Sequence, residues 1–312
     1  MRSLILTSTC DDDAVAEVNI RLARSNPFLE PFAGHAPMLL RLDGLPGAKI
    51  LNDIDGRISN FYRAVKLTPR AVARHAAWPL NQIDLDARHR WLSRQGRRLA
   101  ARLRRDPACR DAKLAGWWAW GFLTCGDAWI SGRAGILPKL AAGPTLADLK
   151  LAVGELSERL DSVSVTCGDW QRVLAPRLLG RKTGVFLDPP YAKARLVDGS
   201  PCRATAVSQA CRHWAIAHGA KIKIALCSYE AEPAMPADWD LYRCEPKADG
   251  GGAQKPSGAK RCIWFSPRAA HPQLTLSFDI DPAPAAEPTA PDTAPEQGAL
   301  AGSASCLHDQ AN

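Results

Sequence analysis

No stretch of the chain approaches the eighteen consecutive apolar residues of a membrane-spanning helix, so no such helix is expected. Near the start only Leu4-Ile5-Leu6 is apolar before three acids at 11–13, too short a run for a secretory signal. The ten cysteines stand singly, without a Cys-x-x-Cys pair, which argues against zinc and against a disulfide framework in 312 residues. A cytoplasmic protein with reduced thiols and no metal is expected. Internal repeats are also absent. From Asp279 to Asn312 there is neither Lys nor Arg, against six acids, and this Ala- and Pro-rich tail is expected to be disordered. Of the 32 acids in the chain, 26 therefore fall in the first 278 residues beside all 40 Lys and Arg, a net +14. A body that basic points to a polyanionic partner.

The most informative segment is Gly184-Val185-Phe186-Leu187-Asp188-Pro189-Pro190-Tyr191. Its apolar half reads as a buried strand. Pro189 and Pro190 fix φ, donate no backbone hydrogen bond, and turn the chain out of the sheet. The strand therefore ends in a stiff knuckle with a carboxylate, a free carbonyl and a ring. Those parts suit a planar amine: acceptors for two N–H protons and a π-face for the ring that carries it. The alternative is a plain Pro-Pro strand terminator. Upstream, Phe28-Leu29-Glu30-Pro31-Phe32-Ala33-Gly34 approaches a small-residue turn, with Met38-Leu39-Leu40 expected to begin a helix, the usual cradle for a nucleoside. Ile50-Leu51-Asn52-Asp53 then repeats strand plus terminal acid, at a spacing suited to a ribose. Residues 54–65 read as an amphipathic helix, apolar at Ile54, Ile58, Phe61, Tyr62 and Val65.

Taken in order, Glu30-Pro31-Phe32-Ala33-Gly34, Asn52-Asp53-Ile54-Asp55 with Asn60-Phe61-Tyr62, and Asp188 to Tyr191 resemble the motifs of the D12-class DNA adenine methylases of bacteria and phages. The resemblance covers roughly residues 28–267. It implies an α/β, Rossmann-like S-adenosylmethionine-dependent methyltransferase fold, with a mostly parallel seven-stranded sheet and an inserted helical subdomain. It further implies S-adenosylmethionine as cofactor, double-stranded DNA as partner, and action as a monomer on DNA in a bacterial or phage-infected cell. Glu30, Phe32 and Gly34 would hold the methionine part of the cofactor, and Asp53 its ribose. Val165-Thr166-Cys167-Gly168-Asp169-Trp170 resembles the strand that ends beside the cofactor adenine, with Asp169 accepting from the amine and Trp170 packing on the ring. For Asp169 the alternative is a helix N-cap. Asp188, Pro189, Pro190 and Tyr191 would be the catalytic set. Two departures stand out: Ala36 replaces the second glycine of the turn, and no Gly-Gly-Lys word precedes Glu30. They motivate one alternative, a DNA-binding relative impaired in catalysis. The other is N4-cytosine methylation, whose amine needs the same holder.

The chain divides into four parts: 1–66 with the cofactor motifs, a helical insertion over 67–160 that would recognise the target, 161–278 with the catalytic motif, and the tail 279–312. In the insertion Arg88, Arg90, Arg94, Arg97, Arg98, Arg102, Arg104 and Arg105 lie along one helix. Arg94, Arg97, Arg98 and Arg102, with Lys193 in the loop after Tyr191, are the candidate DNA contacts; a solvated face is the equal alternative. Trp117, Trp118 and Trp120 are expected to build a core. Trp239–Cys244 and Arg261–Phe265 read as a final hairpin with an antiparallel last strand, joined by a Gly- and Lys-rich loop from Lys247 to Lys260. Gln273-Leu274-Thr275-Leu276-Ser277-Phe278 resembles peptides that dock on the bacterial sliding clamp. Its alternation favours an edge strand.

Overall fold

The computed structural model describes residues 11–34, 37–126, 129, 144–190, 201–230, 235–244 and 260–270, with backbone only at 96, 97 and 201–203. Tyr191, Lys193, the peptide Gln273–Phe278 and the acidic tail lie outside the described residues. So do His35, Ala36, all but the last residue of the Lys247–Lys260 loop, and the side chain of Arg97.

Among the described residues seven short strands form one sheet: β1 (Phe28–Glu30), β2 (Lys49–Asp53), β3 (Val163–Cys167), β4 (Gly184–Leu187), β5 (Lys223–Tyr229), β6 (Asp240–Arg243) and β7 (Arg261–Phe265). Their order is β3-β2-β1-β4-β5-β7-β6. From β3 to β5 every neighbouring pair is parallel, and β7 runs against both β5 and β6. The chain is thus an α/β protein with a mostly parallel sheet. Alternation along the strands feeds two cores. Phe28, Phe186 and Ala225 join one, while Leu29, Val185, Leu187, Ile224 and Leu226 join the other. Covered on both faces, the central strand β4 is a continuous apolar run, buried at all four positions.

Seven described helices clothe the sheet: α1 (Asp12–Leu22), α2 (Gly56–Leu67), α3 (Pro69–Ala76), α4 (Gln82–Arg105), α5 (Ala112–Cys125), α6 (Leu146–Leu160) and α7 (Pro201–His218). Helix α1 went unread in the sequence. Asp11 caps it by accepting from the Ala14 amide at 2.6 Å, Asp12 and Asp13 favour the positive end of its dipole, and Ala14, Val18 and Leu22 are its buried stripe. The helix expected after the Gly34 turn is instead one 3₁₀ turn, Met38–Leu40. The apolar run there is cut short by Gly44 and Gly47, both at positive φ, and by Pro46 between them. Helix α2 begins two residues later than expected, because Asp55 caps it by accepting from the Arg57 amide at 2.8 Å. Ile54 is therefore outside the helix.

Within 67–160 the described backbone is mainly helical, and its core is continuous with the sheet. Val72, Leu85, Leu92, Trp118 and Leu149 belong to the cluster that holds Phe28 and Phe186. Trp118 and Trp120 are buried, as the core reading expects. Arg88, read with the other arginines of α4, turns inward. It is 4 % exposed, with its guanidinium 4.4 Å from the Trp120 ring centroid, 4.8 Å from Trp117 and 4.9 Å from Trp78. Arg88 sits on the seam of Leu85, Leu92, Leu99 and Leu103, and stacking on three indoles offsets part of the cost of removing its charge from water.

Helix α4 is locked against the sheet at its far end. Buried Arg63 donates to the carbonyls of Leu103, Asp106 and Cys109 and to Val165 of β3, at 2.9 to 3.2 Å. Those bonds satisfy carbonyls that a helix C-terminus otherwise leaves open. Gly56, the first residue of α2, lets α4 pass close by: a Cβ there would lie 2.7 Å from the Ala100 nitrogen. Gly→Ala in a helix ordinarily stabilises. Here the obstacle is backbone, so Gly56→Ala is expected to destabilise by about 1–3 kcal/mol. A thermal melt checks this, and an unchanged Tm would mean that α4 yields.

Candidate functional site

Strand order reverses between β1 and β4, which pair from Phe28↔Gly184 onward. In such sheets the crevice outside the carboxyl ends at that point receives ligands. The segments singled out in the sequence end there.

Glu30, the last residue of β1, is buried and its carboxylate ties the turn. One oxygen accepts from the Met38 amide at 2.8 Å and the other from Leu39 at 2.7 Å. Glu30 thus shapes the loop around the crevice. Gly34 sits at φ +54°, a conformation costly to a residue with a Cβ, and the space beside its Cα is open within 4 Å. Its N–H donates to Asp53 Oδ2 at 2.9 Å, and its carbonyl accepts from the buried Tyr62 hydroxyl at 3.1 Å. The Gly34–Asp53 bond brings the first motif onto the second.

Asp53, half-buried at the end of β2, also accepts the Asp55 amide on Oδ1 at 2.8 Å. Burial foremost, and then the nearby Asp55, push its carboxyl up to about 7 although backbone N–H bonds pull the other way. Asn52, quoted in the motif but given no role, is the stitch. Its amide donates to the carbonyls of Pro31 and Gly168, each at 3.0 Å, and its oxygen accepts from the Thr166 hydroxyl at 2.9 Å. One buried side chain therefore fixes the tips of β1, β2 and β3. Ile54, beside Asp53, is 58 % exposed, a large apolar surface at the mouth of the crevice.

At the end of β3, exposed Asp169 accepts the Gln171 amide at 3.0 Å and so caps the turn Trp170–Arg172; the N-cap alternative describes what is present. Trp170 is 6 % exposed, held between Phe32, 6.0 Å away centroid to centroid, and Trp214 at 6.5 Å. The ring expected to meet adenine is thus largely covered by protein, and half-buried Phe32 lies over it.

Asp188 comes directly after β4, with Pro189 buried and Pro190 half-buried behind it. Its side chain is 26 % exposed and meets Arg261, whose Nη2 donates to Oδ2 at 2.9 Å and to Oδ1 at 3.2 Å. Sequence reasoning placed Arg261 in a hairpin and gave it no role. Its signal was an arginine opening the otherwise apolar run Cys262–Phe265.

On α4, Arg94, Arg98 and Arg102 are exposed, as are Arg90, Arg104 and Arg105. Arg98 and Arg102 flank Ala100, which abuts Gly56, and Gly56 lies three residues beyond Asp53. The basic helix therefore passes the carboxyl end of the sheet.

A cavity of about 740 Å³ opens at the opposite end, where Lys49 starts β2 and Ser162 precedes β3. Its cations are already engaged: Lys49 donates to Ser162 at 2.9 Å, and Arg159 to the Leu40 carbonyl at 2.7 Å. None of the motif carboxylates except the turn-shaping Glu30 has partners near it, so size does not decide the site. Among the described residues no helix is long and apolar enough to cross a membrane. Compared with protein-family models and with curated proteins, the chain finds no match in either.

Proposed function

We propose that the chain is a DNA methyltransferase that moves a methyl group from S-adenosylmethionine to the N6 amine of adenine. The observation that carries this reading is the Gly34–Asp53 hydrogen bond at the carboxyl end of the sheet, with Asp188 one strand away. It joins two motifs nineteen residues apart at the crevice where the third ends. A mostly parallel seven-stranded sheet with a reversed strand agrees with the fold that the motif resemblance implies.

The crevice suits the cofactor's parts. Asp53 offers a carboxylate to ribose hydroxyls, Ile54 an apolar surface to the adenine ring, and the Gly34 turn open space beside the backbone. When bound, the cofactor supplies an electrophilic methyl group on a sulfonium sulfur. The N6 amine is a poor nucleophile because its lone pair is delocalised into the base. Asp188 and the Pro189 carbonyl accept its two N–H bonds, which favours the pyramidal form and localises the lone pair. Asp188 then takes the proton that the amine must shed. The target base reaches this knuckle only after leaving the duplex, at a cost of a few kcal/mol that stacking on protein rings offsets. Labelled cofactor with adenine-containing DNA, with subsequent nucleoside analysis, tests the reading. Label in N6-methyladenine supports it, label in N4-methylcytosine redirects it, and DNA binding without transfer replaces it with the binding-only relative.

Asp53 makes cofactor affinity depend on pH. Hydroxyls donate best to the ionised carboxylate, and a carboxyl that titrates near 7 must lose its proton first. Affinity is expected to fall about tenfold from pH 8 to pH 6. Stability runs the other way: the raised value favours the protonated form, so that contribution is present below the unfolded value of 3.8 and is lost as pH rises through about 7. Asp53→Ala is expected to weaken cofactor binding by about 1–3 kcal/mol at pH 8 and to remove the slope. Calorimetry at both pH values decides, and a parent affinity indifferent to pH refutes the ribose role.

A further inference from the structure

Asp188 and Arg261 are 73 residues apart, one just past β4 and the other on β7, with β5 between those strands. Arg261 starts β7 opposite Tyr229 of β5, so its guanidinium passes over the end of β5 to reach Asp188. A nearer carboxylate is available in sequence position, Glu230, just past β5. Glu230 is engaged by Arg243 at the end of β6, at 2.8 Å and with both side chains more exposed. The reversed hairpin thus sends two arginines back toward the parallel strands, Arg243 across β7 to Glu230 and Arg261 across β5 to Asp188. The inner one, Arg261, is 17 % exposed and bonds both oxygens of Asp188 through a single nitrogen.

The form of that contact carries the inference. A guanidinium Nη2 is a planar nitrogen with two N–H bonds, the same donor shape as the exocyclic amine of a base. A carboxylate just beyond a strand turns about two side-chain torsions, and a charge-assisted bond from a strand-borne arginine removes that freedom. We infer that Arg261 is the positioning residue of the amine holder. It keeps the Asp188 carboxylate oriented across the crevice through the shorter bond to Oδ2, and the longer bond to Oδ1 is the one exchanged for the incoming amine. The inference rests on the methyl-transfer reading.

The test compares the full chain with Arg261→Met and Arg261→Lys. Loss of orientation at a reacting centre costs up to about 10²-fold in rate. The Met variant is therefore expected to lose about 10- to 100-fold in kcat, with cofactor Kd and KM for DNA within about twofold of the parent and Tm unchanged. Lysine, which restores a cation but not the planar donor, is expected to recover part of the loss. A Met variant with the parent's kcat overturns the positioning role. So does a loss in which kcat and Tm fall and cofactor Kd rises together in both variants, since that is the mark of a merely structural bond. A parent that binds cofactor and DNA but transfers no methyl overturns the reading beneath it, a result distinct from either.

Discussion

Asp188→Ala is expected to leave the fold intact and to lower methyl transfer by roughly 10³-fold or more, since losing one preorganised polar group at a reacting centre already costs about 10²–10³-fold. Fold and function separate at this residue. Val185, Phe186 and Leu187 are buried and hold β4 in both cores. Asp188 lies beyond the last of them, with a partly exposed side chain, and an ion pair in such a position contributes about 1 kcal/mol or less. Chemistry loses far more, because the amine has no carboxylate acceptor and its proton no destination. Asp188→Asn sharpens the experiment: it keeps the shape but turns one acceptor into a donor facing both Arg261 and the amine. Transfer of tritiated methyl to DNA gives the rate, and circular dichroism melts report the fold. Activity retained in Asp188→Ala would remove Asp188 from the mechanism.

The features legible in the sequence were local. The run Gly184–Leu187 read as a strand because four apolar residues end on Asp188 and two prolines, and β4 has those bounds. Helix α4 read as running from Leu85 to Arg105, with Trp91, Leu92, Leu99 and Leu103 among its arginines; the three leucines are buried and Trp91 is half-buried. The misreadings depend on partners far along the chain. Arg88 resembles its exposed neighbours until Trp117 and Trp120, some thirty residues later, pack against it. Trp170 read as a free ring because the indole that covers it, Trp214, belongs to α7. Asn52 binds carbonyls on two other loops, and Arg261 reaches over an intervening strand; neither relation has a periodicity to betray it. Ile54 was drawn into α2 by its apolar character, though Asp55 is the stronger start signal: a capping side chain fixes where the helix starts, and hydrophobic spacing does not. Near a site, caps and buried amides position the functional groups, and pattern alone undercounts them.

Replacing Arg90, Arg94, Arg98 and Arg102 together by Gln is expected to flatten the salt dependence of DNA binding. The four are exposed and succeed one another at four-residue intervals along α4. On an α-helix that spacing puts neighbours about 6 Å apart on one side. Like charges so placed repel. Among the described residues none of the four has a carboxylate partner. A solvated face built for solubility alone would gain from acids between them, whereas a face built for phosphates loses affinity with every acid. The closeness of α4 to Gly56 brings this stripe to the end of the sheet that carries Asp53 and Asp188, where a bound duplex would have to lie. Each phosphate contact contributes a slope of about −0.9 in log K against log salt, so four lost contacts shallow it by about 3.6. Between 50 and 200 mM salt the parent is then expected to lose about a hundredfold more affinity than the variant. Fluorescence anisotropy with a labelled duplex across that range measures both slopes. Equal slopes would return the stripe to solvent and leave the DNA path to be sought elsewhere on the chain.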